Sequence, residues 1–289
     1  MNARLPLSCF IIAQDEGDRI ARAIRSIKPW VDEVVVVDSG SSDDTVAVAQ
    51  SEGARVIAQP WLGFGGQKRF AEEQCRYDWV LNLDADELIS PKLRTAIEAL
   101  FHSGSPEFVA YGMPVHVIYP GRQKPRIWAR DNWYIRLYNR KIVRFRDSRV
   151  HDTVVTGEHQ VGRIEAPIYH YSIRSFEHMR AKLDERMSLS AEHKPARNRL
   201  TMLARLLVEF PLNFYKYYVV RRHFTGGTIG LRYATIQSTF RVKKVYRMWR
   251  SRNPVPTIKD ASPSNNNKTA WSNLDVANLS RHGKRHRHR

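Results

Sequence analysis

Cysteine is scarce in this 289-residue chain: Cys9 and Cys75 are the only two. That is too few for a disulfide framework or a thiolate metal centre. One falls in an expected strand and the other in an expected helix, so both read as reduced core residues. Long apolar runs are missing too. No run reaches the ~18 residues of a membrane-spanning helix. The N-terminal apolar patch, Cys9 to Ala13, is too short for a signal segment and leads into charge, so the chain reads as cytoplasmic. No Gly-x-Gly-x-x-Gly follows the first strand, which disfavours a dinucleotide-dependent oxidoreductase. Internal repeats are not evident. Acidic residues are nearly absent from the last third: residues 1–196 hold 27 Lys/Arg and 26 Asp/Glu, whereas 197–289 hold 20 and 3. A near-neutral body therefore carries a strongly basic C-terminal third. The overall charge of +18 implies an anionic partner: a membrane surface, nucleic acid or an acidic substrate.

What is present is ordinary globular sequence, 42% hydrophobic and 26% charged, long enough for a sizeable core. Residues 7–13 read as a strand. Ile20, Ala23, Ile24 and Ile27 give helical spacing, and Pro29 ends it. The run Val34-Val35-Val36-Val37 is β-branched and suits a strand buried on both faces. Asp43 and Asp44 open a helix. Residues 54–58 form a third strand, 61–66 a glycine-rich loop, and 67–76 a helix leading to the strand at Trp79. This β-α-β-α-β-α-β order predicts an α/β fold with a parallel sheet covered by helices. Ligands bind beyond the carboxyl ends of such strands, where Asp15, Glu16, Asp38, the glycine loop, Asp84 and Asp86 all fall. After a helix over 91–101, strands are expected at 111–118, 133–138, 141–145, 153–155 and 165–169, then a helix over 176–193.

The run Trp79-Val-Leu-Asn-Leu-Asp84-Ala-Asp86-Glu87 carries the most chemistry. A buried strand ends in carboxylates spaced i, i+2, and a turn there lets Asp84 and Asp86 reach one cation. Oxygen ligands of this kind suit a hard divalent metal, Mg²⁺ or Mn²⁺. Few protein ligands leave positions for diphosphate oxygens, which points to a nucleotide-activated substrate. Taken alone, such a pair is more often a polar strand end.

Its surroundings favour the chemical reading. Ile11-Ile-Ala-Gln-Asp15-Glu16, Val34-Val-Val-Val-Asp38-Ser-Gly-Ser-Ser-Asp43-Asp44-Thr45, Trp61-Leu-Gly-Phe-Gly-Gly-Gln67-Lys68 and the Asp84 run together resemble family 2 glycosyltransferases. The nearest subgroup resembles the lipopolysaccharide-core β-1,4-glucosyltransferases. Arg149-Val-His151-Asp152 and His170-Tyr-Ser172 extend the likeness to roughly residues 5–175. The resemblance implies a GT-A fold, a nucleoside-diphosphate sugar donor, a divalent metal and inversion at the anomeric carbon. It gives Asp38 the base of the nucleotide, Asp15 and Glu16 a place near the nucleotide, and Lys68 a place near the diphosphate. The last fits a helix start, which favours anions. Asp84 and Asp86 become the metal motif, with Asp86 the direct ligand. Arg69 stands where asparagine is usual.

Transfer also needs a carboxylate to take the acceptor proton. Asp152 is the expected base, since His151-Asp152 sits where the family carries a His-Glu/Asp pair; Asp131 is the runner-up and Asp147 a distant third. His151 and His170 are candidate metal or phosphate contacts, although strand-end histidines are more often structural.

The expected organisation is a GT-A domain over 1–195, amphipathic basic helices over 196–250, and a disordered basic tail over 251–289. Leu200, Leu203, Leu207, Phe210, Phe214 and Tyr217 recur at helical steps among basic residues, and residues 229–249 repeat the mixture. Such helices suit an anionic membrane interface, which places the protein peripherally on the inner face of the cytoplasmic membrane. The expected partners are a UDP-linked sugar donor, glucose first, and a lipid-linked saccharide acceptor. Alternatives are a hexosamine or heptose donor, or a polyprenyl-phosphate acceptor. A nucleic-acid-binding protein is disfavoured, because the folded half is near neutral and shows no nucleic-acid module.

Overall fold

The computed structural model describes residues 4–129, 132–149, 152–190 and 199–250. β1 (Leu5–Ala13), α1 (Gly17–Ile27), β2 (Val31–Asp38), α2 (Thr45–Ser51), β3 (Arg55–Ala58), α3 (Phe64–Glu73) and β4 (Trp79–Asp84) alternate as the hydrophobic pattern predicts. The four strands are parallel and ordered β3-β2-β1-β4. Next come β5 (Glu87–Ile89), α4 (Pro91–His102), β6 (Ala110–Val117), β7 (Asn132–Asn139), β8 (Arg144–Phe145), β9 (Val154–Val155), β10 (Val161–Arg163) and β11 (Ile168–His170). The sheet continues from β4 through β7, β6, β11 and β5, with β10 beside β6. β7 runs antiparallel to both its neighbours. A mixed α/β sheet results, as expected for a GT-A domain.

Both faces of the central strands are covered, which explains their near-continuous hydrophobicity. Along β1, Leu7, Cys9, Ile11 and Ala13 enter the core under α1 and α4, while Phe10 and Ile12 point to the opposite layer. Val36 and Val35 of β2 divide in the same way. α1 buries Ile20, Ala23, Ile24 and Ile27, one face of a 3.6-residue period. Ser90 caps α4 by accepting from the Leu93 amide, with Pro91 in the first turn.

Three local expectations are corrected. α3 begins at Phe64, so Gly65 and Gly66 are helical and the loop is shorter than 61–66. The strand expected at 141–145 shrinks to β8, because the amides of Ile142 and Val143 turn back onto the Asn139 carbonyl. β5 and β10, three residues each, were not anticipated; segments so short carry no readable period.

Gly63 makes the α3 start possible. Its φ is +90°, and a Cβ there would lie 2.5 Å from the Arg149 Cα. Gly63→Ala is therefore expected to cost more than about 1 kcal/mol in denaturant melts. Gly40→Ala is the control for strain alone, because Gly40 has φ +93° but open space around it. Equal losses in the two variants would contradict the close approach.

The C-terminal part is helical: α5 (Phe176–Ser190), α6 (Arg199–Tyr215), a π turn (Lys216–Val220), a 3-10 turn (His223–Gly226) and α7 (Gly227–Arg250). α6 packs along α7. α7 buries Ala234, Ile236 and Val245, and Ile236 packs with Phe176 and Met179 of α5. The second of the two stretches expected to be interfacial thus spends much of its apolar face on the protein itself. Residues 251–289, expected as a disordered tail, lie outside the described residues.

An aromatic joint ties the helical pair to the loop after β6. The Tyr119 hydroxyl is hydrogen-bonded to His223 Nδ1, the His223 ring stacks on Tyr233 at 4.4 Å, and Tyr217 meets both rings edge-on. Arg126 donates to the Arg221 carbonyl at 3.1 Å. Burial first, then Arg126 and Arg221, pull His223 from 6.5 down to about 3. Between those values the unfolded chain binds a proton that the joint refuses. Stability is therefore expected to fall as pH drops below 6.5, by about 1.4 kcal/mol per pH unit at most. Thermal melts of wild type and His223→Gln at neutral and mildly acidic pH test this. The gap between them should narrow in acid; a pH-independent gap would contradict it.

Candidate active site

Parallel register brings the polar strand ends together. Ala13 pairs with Asp38, and Ile12 with Asp84. The Asp38 carboxylate is buried and closes its own turn, accepting from the Gly40 and Ser41 amides at 2.9 and 3.0 Å and from the Ser41 hydroxyl. Asp15, in the left-handed region at φ 54°, accepts from the Ser42 amide at 2.7 Å, and its own amide donates to the Ser41 hydroxyl. The two loops are thereby stitched into one rim. Glu16 takes Arg19 and Arg174, while burial pushes its carboxyl up.

At the end of β4 the carboxylates lie among cations, Glu87 buried and Asp84 and Asp86 half-buried. Arg136 of β7 donates to Asn82 at 2.7 Å, Asp84 at 3.1 Å and Glu87 at 2.6 Å. Burial works against Asp84, but Arg136 and Lys68 overcome it and hold its carboxyl well below the usual range. Asp86 meets His170 Nε2 at 3.2 Å and Arg19 at 3.3 Å; against burial, these bring it down to about 2. Burial opposes a charged His170 as well, yet Asp86 and its acidic neighbours raise it to about 9. Glu87 is driven up by burial despite Arg136. β5 aligns this cluster, because its antiparallel pairing sets His170 opposite Glu87.

Lys68 is 2% exposed, with its ammonium 3.0 Å from Asp84 and 2.9 Å from Asp152. Its burial is offset by those two carboxylates, which raise its pKa. α3 sets this bridge. The Gly65 amide donates to the Ser148 carbonyl at 2.9 Å and the Phe64 amide to that of Arg149 at 3.4 Å. Thus the segment leading to Asp152 docks on the helix start. The sequence placed Lys68 at a helix start open to anions; it lies in the second turn, and two first-turn donors are spent on protein carbonyls.

Of the residues singled out in the sequence, Asp84, Lys68 and Asp152 form one contiguous chain. Asp86 belongs to the adjoining ion-pair cluster, with Glu16 reaching it through Arg19. Asp15 and Asp38 stand on the rim. Asp131 and His151 lie outside the described residues, and Asp147 is exposed near Gly66. Arg19, Arg136 and Arg174 escaped sequence reasoning. Only Arg136 leaves a signal, a lone charge inside the apolar run Trp133-Tyr-Ile-Arg136-Leu-Tyr138.

The donor chemistry fits a hard divalent cation. Asp86 Oδ1 and His170 Nε2 face each other, with Asp84 one turn residue away in the chain, and carboxylate oxygens with an imidazole suit Mg²⁺ or Mn²⁺. Among the described residues no three His, Cys, Asp or Glu side chains already surround one point. A cation here would have few protein ligands, and His170 would first release its proton.

The model of the family described as glycosyl transferase family 2 matches residues 8–158. The chain belongs to this family. Among its relatives is an uncharacterised glycosyltransferase of Rickettsia felis, 41% identical over 233 residues, which span 78% of this chain and 82% of the relative. Another is the lipopolysaccharide core biosynthesis glycosyltransferase LpsC of Rhizobium meliloti, 31% identical over 227 residues, spanning 75% and 82%. Glucosyl-3-phosphoglycerate synthase of Mycobacterium tuberculosis, solved with Mn²⁺ and UDP, matches 40% of this chain and 44% of its own, at 26% identity and a TM-score of 0.32. That match spans under half of the solved chain. For a family 2 glycosyltransferase the reaction is transfer of a sugar. No helix among the described residues is long and apolar enough to cross a membrane.

Proposed function

We propose that this glycosyltransferase moves a hexose, glucose from UDP-glucose first, with inversion onto a lipid-anchored glycan such as a lipopolysaccharide inner core. It works peripherally at the cytoplasmic membrane face. The observation that carries the reading is the Asp84–Lys68–Asp152 chain, which joins an acidic strand end to a partly exposed carboxylate 84 residues along from Lys68.

Asp84 and Asp86, with His170, would hold Mg²⁺ or Mn²⁺, and the bound cation would neutralise the leaving diphosphate. Asp152 takes the proton from the acceptor hydroxyl. Lys68 holds Asp152 Oδ2 and fixes the carboxylate's direction, so it acts from beneath the site and not as an exposed phosphate clamp. Asp38, Asp15 and Glu16 line the rim where the nucleotide lies, with Asp38 toward the base.

A panel of UDP-linked hexoses, hexosamines and a nucleotide-linked heptose, each with Mn²⁺, tests the donor. A ligand that binds only the folded state raises the melting temperature with its affinity. UDP-glucose is expected to stabilise most and to be slowly hydrolysed. A larger shift with a hexosamine or heptose donor would reassign the sugar.

A further inference from the structure

Two chain-distant segments place exposed apolar side chains at one joint. Ile127 and Trp128, in the loop after β6, are 69% and 70% exposed. Val219, Val220 and Phe224 at the turn between α6 and α7 are 43%, 41% and 45% exposed, and Tyr215 just before them is 59%. Ile127 and Trp128 directly follow Arg126, Val219 and Val220 directly precede Arg221, and Arg126 and Arg221 are in hydrogen-bond contact. Trp128 is also held in the left-handed region, at φ 52°, which is unusual for a bulky aromatic.

Among the described residues of the loop and the turn, the charges have one sign. Arg122 and Lys124 on the loop, and Lys216 and Arg222 at the turn, are exposed. Across 197–250 the one acidic residue is Glu209, which is buried and paired with Arg205 at 2.8 Å. An apolar tip ringed by cations complements an anionic bilayer: aromatic and aliphatic groups enter the headgroup boundary and cations meet lipid phosphates. A typical protein partner would need acids facing those cations.

We propose that the loop 118–129 and the turn 215–224 form one membrane-docking surface, with Trp128, Val219, Val220 and Phe224 entering the interface of an anionic bilayer. The surface borders the active site. Tyr171 donates its hydroxyl to the Gln123 carbonyl at 3.1 Å and its amide to the Asp86 carbonyl at 2.8 Å, so one residue spans from the acidic cluster to the docking loop. Its purpose, holding the site over a lipid-anchored acceptor, rests on the sugar-transfer reading; the surface itself does not.

The test is co-sedimentation of the full chain with vesicles of equimolar phosphatidylcholine and phosphatidylglycerol, beside vesicles of phosphatidylcholine alone. Wild type is expected on the anionic vesicles, released by salt. Lys124→Glu with Arg222→Glu should weaken binding at least about fivefold per site. Trp128→Ala with Phe224→Ala should weaken it by a similar factor, while Trp128→Phe keeps it. All these side chains are exposed, so melting temperatures should stay near wild type. Equal binding by all variants, or equal binding to neutral vesicles, would overturn the proposal. So would a concentration-dependent dimer that the same substitutions dissolve without any lipid binding, since a second copy would then be the occupant. UDP-glucose stabilisation, measured in parallel, separates the two readings. No vesicle binding by wild type, with donor binding intact, overturns the surface and the peripheral placement but leaves sugar transfer standing; vesicle binding by wild type without donor binding supports the surface and sinks the transfer reading.

Discussion

Asp152→Asn is expected to lower turnover by about 10²–10⁴-fold, the usual worth of a positioned general base, while donor binding stays near wild type. The amide keeps an oxygen that can accept from Lys68, and Lys68 keeps Asp84 at 3.0 Å, so the buried ammonium is not stranded. What is lost is the capacity to take a proton. Single-turnover transfer and UDP-glucose titration should therefore separate, with the first collapsing and the second unchanged. Lys68→Met should behave differently. It removes the counter-charge shared by two carboxylates and should disturb folding, donor binding and turnover together. Near-normal turnover in Asp152→Asn would move the role of base to Asp131.

Arg136→Met should be among the most damaging single changes to stability. Its guanidinium is 8% exposed and lies against Asp84 and Glu87, the latter 1% exposed. Burial works against its charge, yet those two carboxylates raise its pKa above the ordinary value. Removing one partner of a buried ion cluster leaves uncompensated charge and costs roughly 3–5 kcal/mol. In a domain of this size that is a fall in melting temperature on the order of 10 °C. Glu87→Gln in the same background should recover part of the loss, because it removes one of the stranded charges. A loss under about 1 kcal/mol would mean that water reaches the cluster and screens it.

The parts of this molecule legible in its sequence are those with period and length. The continuous apolar runs of 7–13 and 34–37 and the helical spacing of Ile20 to Ile27 fixed the parallel half of the sheet. The polar residues that end those strands fell at one edge because parallel strands share a direction. What stayed hidden depends on contacts between distant segments. β5 is too short to announce itself, yet its pairing with β11 carries His170 to the acidic cluster. Lys68 could be read as near the site, but not as buried beneath it, because its depth depends on Gly63 letting the 148–149 backbone close over α3. Arg19 and Arg174 sit among ordinary surface charges in the sequence, and only the fold turns them toward Asp86 and Glu16. On the C-terminal helices the period was visible but not which face was free: Ile236 and Val245 are buried, whereas Leu207 is 81% exposed.

The most direct measurement is calorimetric titration of UDP-glucose into wild type and Asp86→Ala, each with Mn²⁺ and with chelator. Tight binding by wild type only when Mn²⁺ is present, and its loss in Asp86→Ala, is the predicted result. Binding of equal affinity in chelator, or unchanged binding by Asp86→Ala, would contradict a cation held at the end of β4.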